Sequence, residues 1–159
     1  MATNLYGPGD NYNLELGHVV AALLRRFHDA KESNDQDVTI WGTGKPTRDF
    51  MHVDDLADAI IHLLQLDPPD WINAGTGQEV SIGTLAETIA RTVGFQGLIR
   101  NDVSRPDGTP RKCTDVTRIN QLGWKHRIEL EQGLELAYES FVSELRSGRL
   151  RTSSGSIAD

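Results

Sequence analysis

The stretch Trp41-Gly-Thr-Gly-Lys-Pro-Thr-Arg-Asp-Phe-Met-His-Val-Asp-Asp55 constrains the fold more than any other part of the chain. Val38 to Trp41 is β-branched and ends in an aromatic, the composition of a strand, and Gly42, Gly44 and Pro46 then force a turn. Arg48 and His52 follow, before Asp54 and Asp55 at the start of a helix. Either carboxylate can cap that helix, because it accepts bonds from orphan N–H groups and complements the positive end of the helix dipole. The helix, predicted over Leu56 to Leu66, is apolar at Leu56, Ala59, Ile60, Leu63 and Leu64, the i, i+3, i+4 spacing of a core-facing stripe. A dense polar cluster is thus set on a rigid base.

Around this segment short strands and helices alternate. Thr3 to Tyr6 reads as a strand closed by the Gly7–Asn11 turn cluster, and Val19 to about Lys31 as an amphipathic helix. Pro68 and Pro69 stop the helix after Asp55, and Trp71 to Ala74 reads as a short apolar strand. Ser81 opens a further helix that Gly94 ends. Leu98 to Asn101 reads as a strand, Ser104 to Lys112 as a loop with three basic residues, and Asp115 as the cap of a short helix through Gln121. Glu129 to about Arg146 is a last amphipathic helix, and a disordered polar tail is predicted over 147–159 after one unit spanning 1–146. The class is therefore α/β. The βαβ units are too few for a complete doubly wound sheet, and the Thr3 strand has no evident partner, which leaves an exposed edge.

With 159 residues, 38% hydrophobic and 25% charged, the chain can bury one core. A net charge of −7 argues against a nucleic-acid partner, since phosphate binding needs a basic face. No apolar run approaches the ~18 residues of a membrane span, and the first residues lack a signal-peptide pattern, so no membrane partner and a cytoplasmic location are expected. The one cysteine, Cys113, excludes an internal disulfide and a multi-thiolate metal site, and reads as a small core residue. Within the acidic chain, Arg25, Arg26, Arg48, Arg111 and Lys112 fall where a local basic pocket would suit a compact di-anion such as a nucleotide diphosphate. Neither Gly42-Thr-Gly44 nor Gly75-Thr-Gly77 has the third glycine of a dinucleotide-binding fingerprint, and no Tyr-x-x-x-Lys follows Tyr6, Tyr12 or Tyr138.

The Trp41–Asp55 stretch resembles the corresponding segment of the extended short-chain dehydrogenase/reductase family, in its nucleotide-sugar branch. Thr3-Asn-Leu-Tyr-Gly-Pro8, His18-Val-Val-Ala-Ala-Leu-Leu-Arg-Arg-Phe-His28 and Pro106-Asp-Gly-Thr-Pro-Arg-Lys112 agree, and carry the resemblance to about Phe141. The last run favours, within that branch, the enzymes that epimerise and reduce GDP-4-keto-6-deoxy-mannose with NADPH. The resemblance implies the C-terminal, substrate-binding part of such an enzyme, with the last strands of the Rossmann domain and an incomplete sheet. The cofactor is then NADP(H), the partner a GDP-sugar, and the full-length enzyme a homodimer packed mostly through the other half.

Residue by residue, the resemblance implies that His18 is the acid/base of epimerisation, working with a cysteine of the other half. Ala2, Thr3, Asn4, Leu5 and His18 then lie beside the nicotinamide end of the cofactor, and Arg26, Trp41, Arg48 and Asp107 hold the GDP-sugar, with Lys112 a further phosphate ligand. Read without the resemblance, His18 is a helix-start histidine, Trp41 a core residue and Asp107, in an Asp-Gly pair, a turn former. His28, His62 and His126 read as solvent-facing and Arg25 as a solvated helix residue. Gly17 stands where the family usually has Ser, which leaves the aim of His18 open. Two alternatives remain: a non-catalytic nucleotide-sugar-binding module, and another nucleotide-sugar epimerase, dehydratase or reductase.

Overall fold

The computed structural model describes residues 1–66, 68 and 71–152. In chain order the elements are β1 (Asn4–Tyr6), α1 (Val19–Glu32), β2 (Asp37–Trp41), β3 (Thr47–Arg48), β4 (Phe50–His52), α2 (Val53–Leu64), β5 (Val80–Ser81), α3 (Ile82–Val93), β6 (Leu98–Asp102), β7 (Arg111–Lys112), α4 (Thr117–Gln121) and α5 (Leu130–Arg146). They form an α/β structure with three small open sheets: β1 parallel to β4, β2 parallel to β6, and β3 between β5 and β7.

The β1–β4 pair divides the interior because successive strand side chains point to opposite faces. Tyr6 and Phe50 join the larger core, with Leu23, Leu24 and Phe27 of α1, Leu85 and Ile89 of α3, and Leu134 and Phe141 of α5. Leu5 and Met51, one register position along, enter a second cluster with Ala59, Ala74, Ile119 and Trp124. Burying each large side chain is worth roughly 1.5–3 kcal/mol, so these two clusters fix where the strand ends lie.

The expected strand at Thr3 does have a partner, in β4, and its neighbour Ala2 bridges Ala74. Sequence alone did not show this pairing, because β3 and β4 are only two and three residues long and lie in a polar segment. Trp71 to Ala74 forms only the bridge at Ala74, and Trp71 is 92% exposed. The predicted stop at Pro68-Pro69 lies partly outside the described residues.

Helix α2 begins at Val53, earlier than expected, and neither aspartate is its cap. His52 caps it, Nδ1 accepting from the Asp54 N–H at 3.3 Å. Asp55 is buried and accepts from the backbone N–H groups of Arg127 and Ile128 at 3.1 and 3.0 Å. Of the predicted stripe, Ala59 is buried and Leu56 and Leu63 are partly so, while Ile60 and Leu64 are exposed together with Ile61. No described element covers that side.

Helix α3 follows the sequence reading: the Ser81 hydroxyl accepts from the Thr84 N–H at 3.0 Å, and Gly94 closes it in the left-handed region, φ +80°. The predicted tail is held as far as 152. Leu150 packs on the core, the Arg151 carbonyl accepts from the Tyr12 N–H at 2.9 Å, and the Thr152 carbonyl from the Asn13 amide at 2.9 Å. Residues 153–159 lie outside the described residues.

Candidate functional site

Two adjoining depressions share Val19 at the start of α1. The first, about 320 Å³, is lined by Thr3, Asn4, Leu5, His18, Phe50 and Lys112 as well as Val19. It unites four of the five predicted cofactor-side residues, among them the expected acid/base His18, with the predicted phosphate lysine. His18 sits at the N-terminal end of α1 in an extended conformation, exposed, and makes no capping bond with its side chain. Ala2 is not among the lining residues; the strand bridge to Ala74 holds it instead.

Asp49, given no role by the sequence reading, organises the floor. It is fully buried, its backbone carbonyl accepting from the Thr3 hydroxyl at 2.9 Å and the Asn4 amide at 2.8 Å. Its carboxylate accepts from the Thr76 hydroxyl and N–H at 2.5 and 3.2 Å, and from the Gly77 N–H at 3.4 Å. Buried carboxylates need such partners, so Asp49 locks the 75–77 turn to β1.

Asp10 is the second residue that sequence reasoning passed over. Burial pushes its carboxyl up, while the Asn11 N–H and the nearby His18 and Arg151 charges pull it back. Gly17, between Asn13 and His18, is tightly enclosed: a Cβ there would collide with the carbonyls of Asn11 and Asn13. The glycine therefore fixes the turn before His18 rather than loosening it.

The second depression, about 230 Å³, is largely apolar and runs from Leu14 and Gly17 past Leu23 to Ile40, Trp41 and Ile82. Trp41 is 55% exposed, so it is not a core residue but an open ring face. The guanidinium carbons of Arg105 and Arg26 lie 5.1 and 6.0 Å from its ring centre. Such stacking of a cation on an aromatic face is worth about 0.5–1 kcal/mol at an exposed position. Arg26 also donates to the Thr39 carbonyl at 2.8 Å, and burial pulls its guanidinium below the ordinary value.

Arg48 and Lys112 are register partners in the parallel β3–β7 pair. Nη1 of Arg48 donates to the Thr47 and Thr109 carbonyls, both at 2.7 Å, and its remaining N–H groups make no bond to another described residue. Asp107 does not offer its carboxylate to the depression. Both oxygens are held by Thr43, Oδ1 by the N–H at 2.8 Å and Oδ2 by the hydroxyl at 2.7 Å, which also lowers the carboxyl from its ordinary value. This fastens the 103–110 loop to the Gly42–Gly44 turn, the turn-forming role that an Asp-Gly pair suggests by itself.

Other expected solvent-facing side chains are engaged. Arg25 donates to the Tyr12 carbonyl at 3.0 Å and pairs with Asp29. His28 contacts the Tyr138 hydroxyl at 3.0 Å, His62 meets the Leu122 carbonyl at 2.8 Å, and His126 is half-buried beside Glu129. Cys113 is half-buried, and burial with the Asp49 and Glu79 charges pushes its thiol up, so it remains protonated at neutral pH. Its neighbour Arg111 pairs with Glu79.

The model of the NAD dependent epimerase/dehydratase family matches residues 1–75 of this chain. It is similar to the GDP-L-fucose synthase of Escherichia coli, 51% identical over 89% of this chain and 47% of that protein. A probable GDP-L-fucose synthase 1 from Oryza sativa is 49% identical over 94% of this chain and 46% of its own length. Among solved structures, a GDP-L-fucose synthetase from Naegleria fowleri bound to NADP superposes with a TM-score of 0.85 at 28% identity, covering 93% of this chain and 47% of that one. The chain thus spans about half the length of the curated relatives it matches.

Proposed function

We propose that this chain is the nucleotide-sugar-binding half of a GDP-L-fucose synthase, the 3,5-epimerase and 4-reductase of GDP-4-keto-6-deoxy-mannose. The observation that carries the reading is the convergence of His18, Asn4 and Lys112 on one depression that adjoins, across Val19, the Arg26–Trp41 depression. Epimerisation beside a carbonyl needs a base to remove a proton and an acid to return one on the other face. His18 is the residue assigned to hold and release that proton, because it stands exposed at the rim of the depression. Asp10, nearby and partly buried, balances the imidazolium that forms.

Arg26, Arg48 and Lys112 face the diphosphate, where a guanidinium fork makes paired charge-assisted bonds. Asp107 holds the loop, and its exposed carboxylate keeps free lone pairs for a hydroxyl of the GDP-sugar. The first depression suits the nicotinamide end of NADP(H): it is small, and its floor is held by the Asp49 carbonyl bonds to Thr3 and Asn4. NADPH, when bound, supplies the hydride for the C4 ketone; Asn4, Leu5 and the adjoining backbone only position it. The full-length enzyme is expected to be a homodimer in the cytoplasm. The 159-residue chain, with neither a glycine-rich fingerprint nor Tyr-x-x-x-Lys, is expected to oxidise no NADPH with that sugar.

The test uses a full-length enzyme carrying this segment. His18→Gln should abolish solvent-proton exchange at C3 and C5 while leaving C4 reduction measurable, and unchanged exchange would overturn the assignment. Arg48→Ala should raise KM for the GDP-sugar about ten- to a hundred-fold and that for NADPH little, the loss of a charge-assisted contact. Arg25→Ala, which removes the bond to Tyr12, should lower Tm without that change in KM. A non-catalytic module would bind the GDP-sugar and show no exchange in any of these proteins.

A further inference from the structure

The depression beneath Trp41 has a chemical asymmetry that the diphosphate contacts do not use. Its walls are aliphatic and aromatic, from Leu14, Val19, Leu23, Ile40, Trp41 and Ile82, and two ionised groups line it: Arg26 and Glu15. At about 230 Å³ it falls below the ~300 Å³ lower bound for a whole drug-sized ligand, so it suits one flat ring system of a larger molecule. Glu15 is held in place through its backbone, its N–H bonded at 2.9 Å to the Asn13 side-chain oxygen that also takes the Leu16 N–H. Its carboxylate, by contrast, has no hydrogen-bond or ion-pair partner among the described residues. Gly17 and the bond from the Asn13 amide to the Thr152 carbonyl make this turn a built feature rather than a loose loop.

An ionised carboxylate accepts hydrogen bonds and donates none. Beside an apolar slot it selects a ring whose edge presents two adjacent donors. Guanine does so through N1–H and the 2-amino group. Hypoxanthine keeps N1–H and lacks the amino group, uracil presents one N–H between two carbonyl acceptors, and adenine presents an acceptor nitrogen that the carboxylate repels. A site built to bond a ligand N–H rejects an analogue lacking it far more strongly than an apolar pocket rejects a missing methyl group.

We propose that Glu15 reads the base of the nucleotide and selects guanine, with the ring seated in the Trp41 slot and the Arg26 guanidinium at its phosphate side. This rests on the nucleotide-sugar reading above, and it assigns base selection to a residue outside the groups placed on the sugar, the diphosphate and the transferred proton.

A full-length enzyme carrying this segment, saturated with NADP⁺, is titrated calorimetrically with GDP, IDP, ADP and UDP, as wild type and as Glu15→Gln. GDP is expected to bind about tenfold more tightly than IDP and more tightly still than ADP or UDP. Glu15→Gln should bring GDP down to the IDP affinity and leave UDP unchanged. Equal affinity for all four nucleotides, or a guanine preference that survives Glu15→Gln, would overturn the role of Glu15 while leaving the diphosphate site intact. No nucleotide binding at all would overturn both this inference and the nucleotide-sugar reading. Because Glu15 is exposed and its backbone bonds are unaltered by the substitution, a loss confined to GDP separates base recognition from misfolding.

Discussion

At the scale of single residues, the candidate site depends on side chains that hold loops as much as on those left open at its rim. Asp107 is the plainest case: its two oxygens clamp Thr43, and the same loop places Arg105 on Trp41. The bonds from the Thr43 hydroxyl and N–H lower the folded-state pKa of Asp107 below its unfolded value. The clamp's contribution is therefore fully present above the unfolded value, ~3.9 for an aspartate, and is lost as pH falls through the lower folded value. A pH titration of the Thr43 amide resonance should show its inflection below ~3.9, and Asp107→Asn should remove it. An inflection at or above that value would mean that the clamp does not exist in solution.

Among the elements, α2 shows how a motif can be legible while its wiring is not. The Val-Asp-Asp start marks a helix N-terminus, yet the cap is His52, and Asp55 turns inward to bind the 127–128 backbone before α5. Asp55→Asn puts an amide NH₂ against one of two buried N–H donors, so it should cost roughly 1.5–3 kcal/mol. Asp54→Ala, at an exposed position in the same turn, should cost less than about 1 kcal/mol, the size of a helix-dipole contribution. Denaturant unfolding measures both; equal losses would assign the effect to the dipole and not to the tie between α2 and α5.

Across the whole molecule, the C-terminal end of the described chain meets the turn that carries Glu15 and His18. Leu150 packs on the core while the carbonyls of Arg151 and Thr152 take bonds from Tyr12 and Asn13. A chain ending at Gly148 loses the two hydrogen bonds that tie it to the turn, worth ~0.5–1.5 kcal/mol each, and for a chain of this size each kcal/mol moves Tm by about 2–4 °C. Against a chain ending at Thr152 its Tm should therefore be about 2–12 °C lower, with weaker GDP binding measured alongside. An unchanged Tm would show that the terminal residues do not brace the turn.

The sequence by itself determined the α/β class, the helices α1, α3 and α5 to within about a turn, and the segments that contribute to the site, because periodicity, caps and turn residues are local signals. The expectation that Trp41, Arg26 and His18 stand near a ligand came from the resemblance of whole motif runs and not from any one residue. Only the tertiary structure decided what each polar group does. Which of Asp54 and Asp55 is buried, that Asp49 ties Thr3 to Thr76, that Asp107 faces Thr43, and that β1 pairs with β4 all depend on partners distant in sequence. A carboxylate has the same local signature whether it caps a helix, clamps a loop or meets a ligand; the choice is made by which donors the folded chain brings within about 3 Å, because a buried acceptor left unpaired costs more than its bond returns.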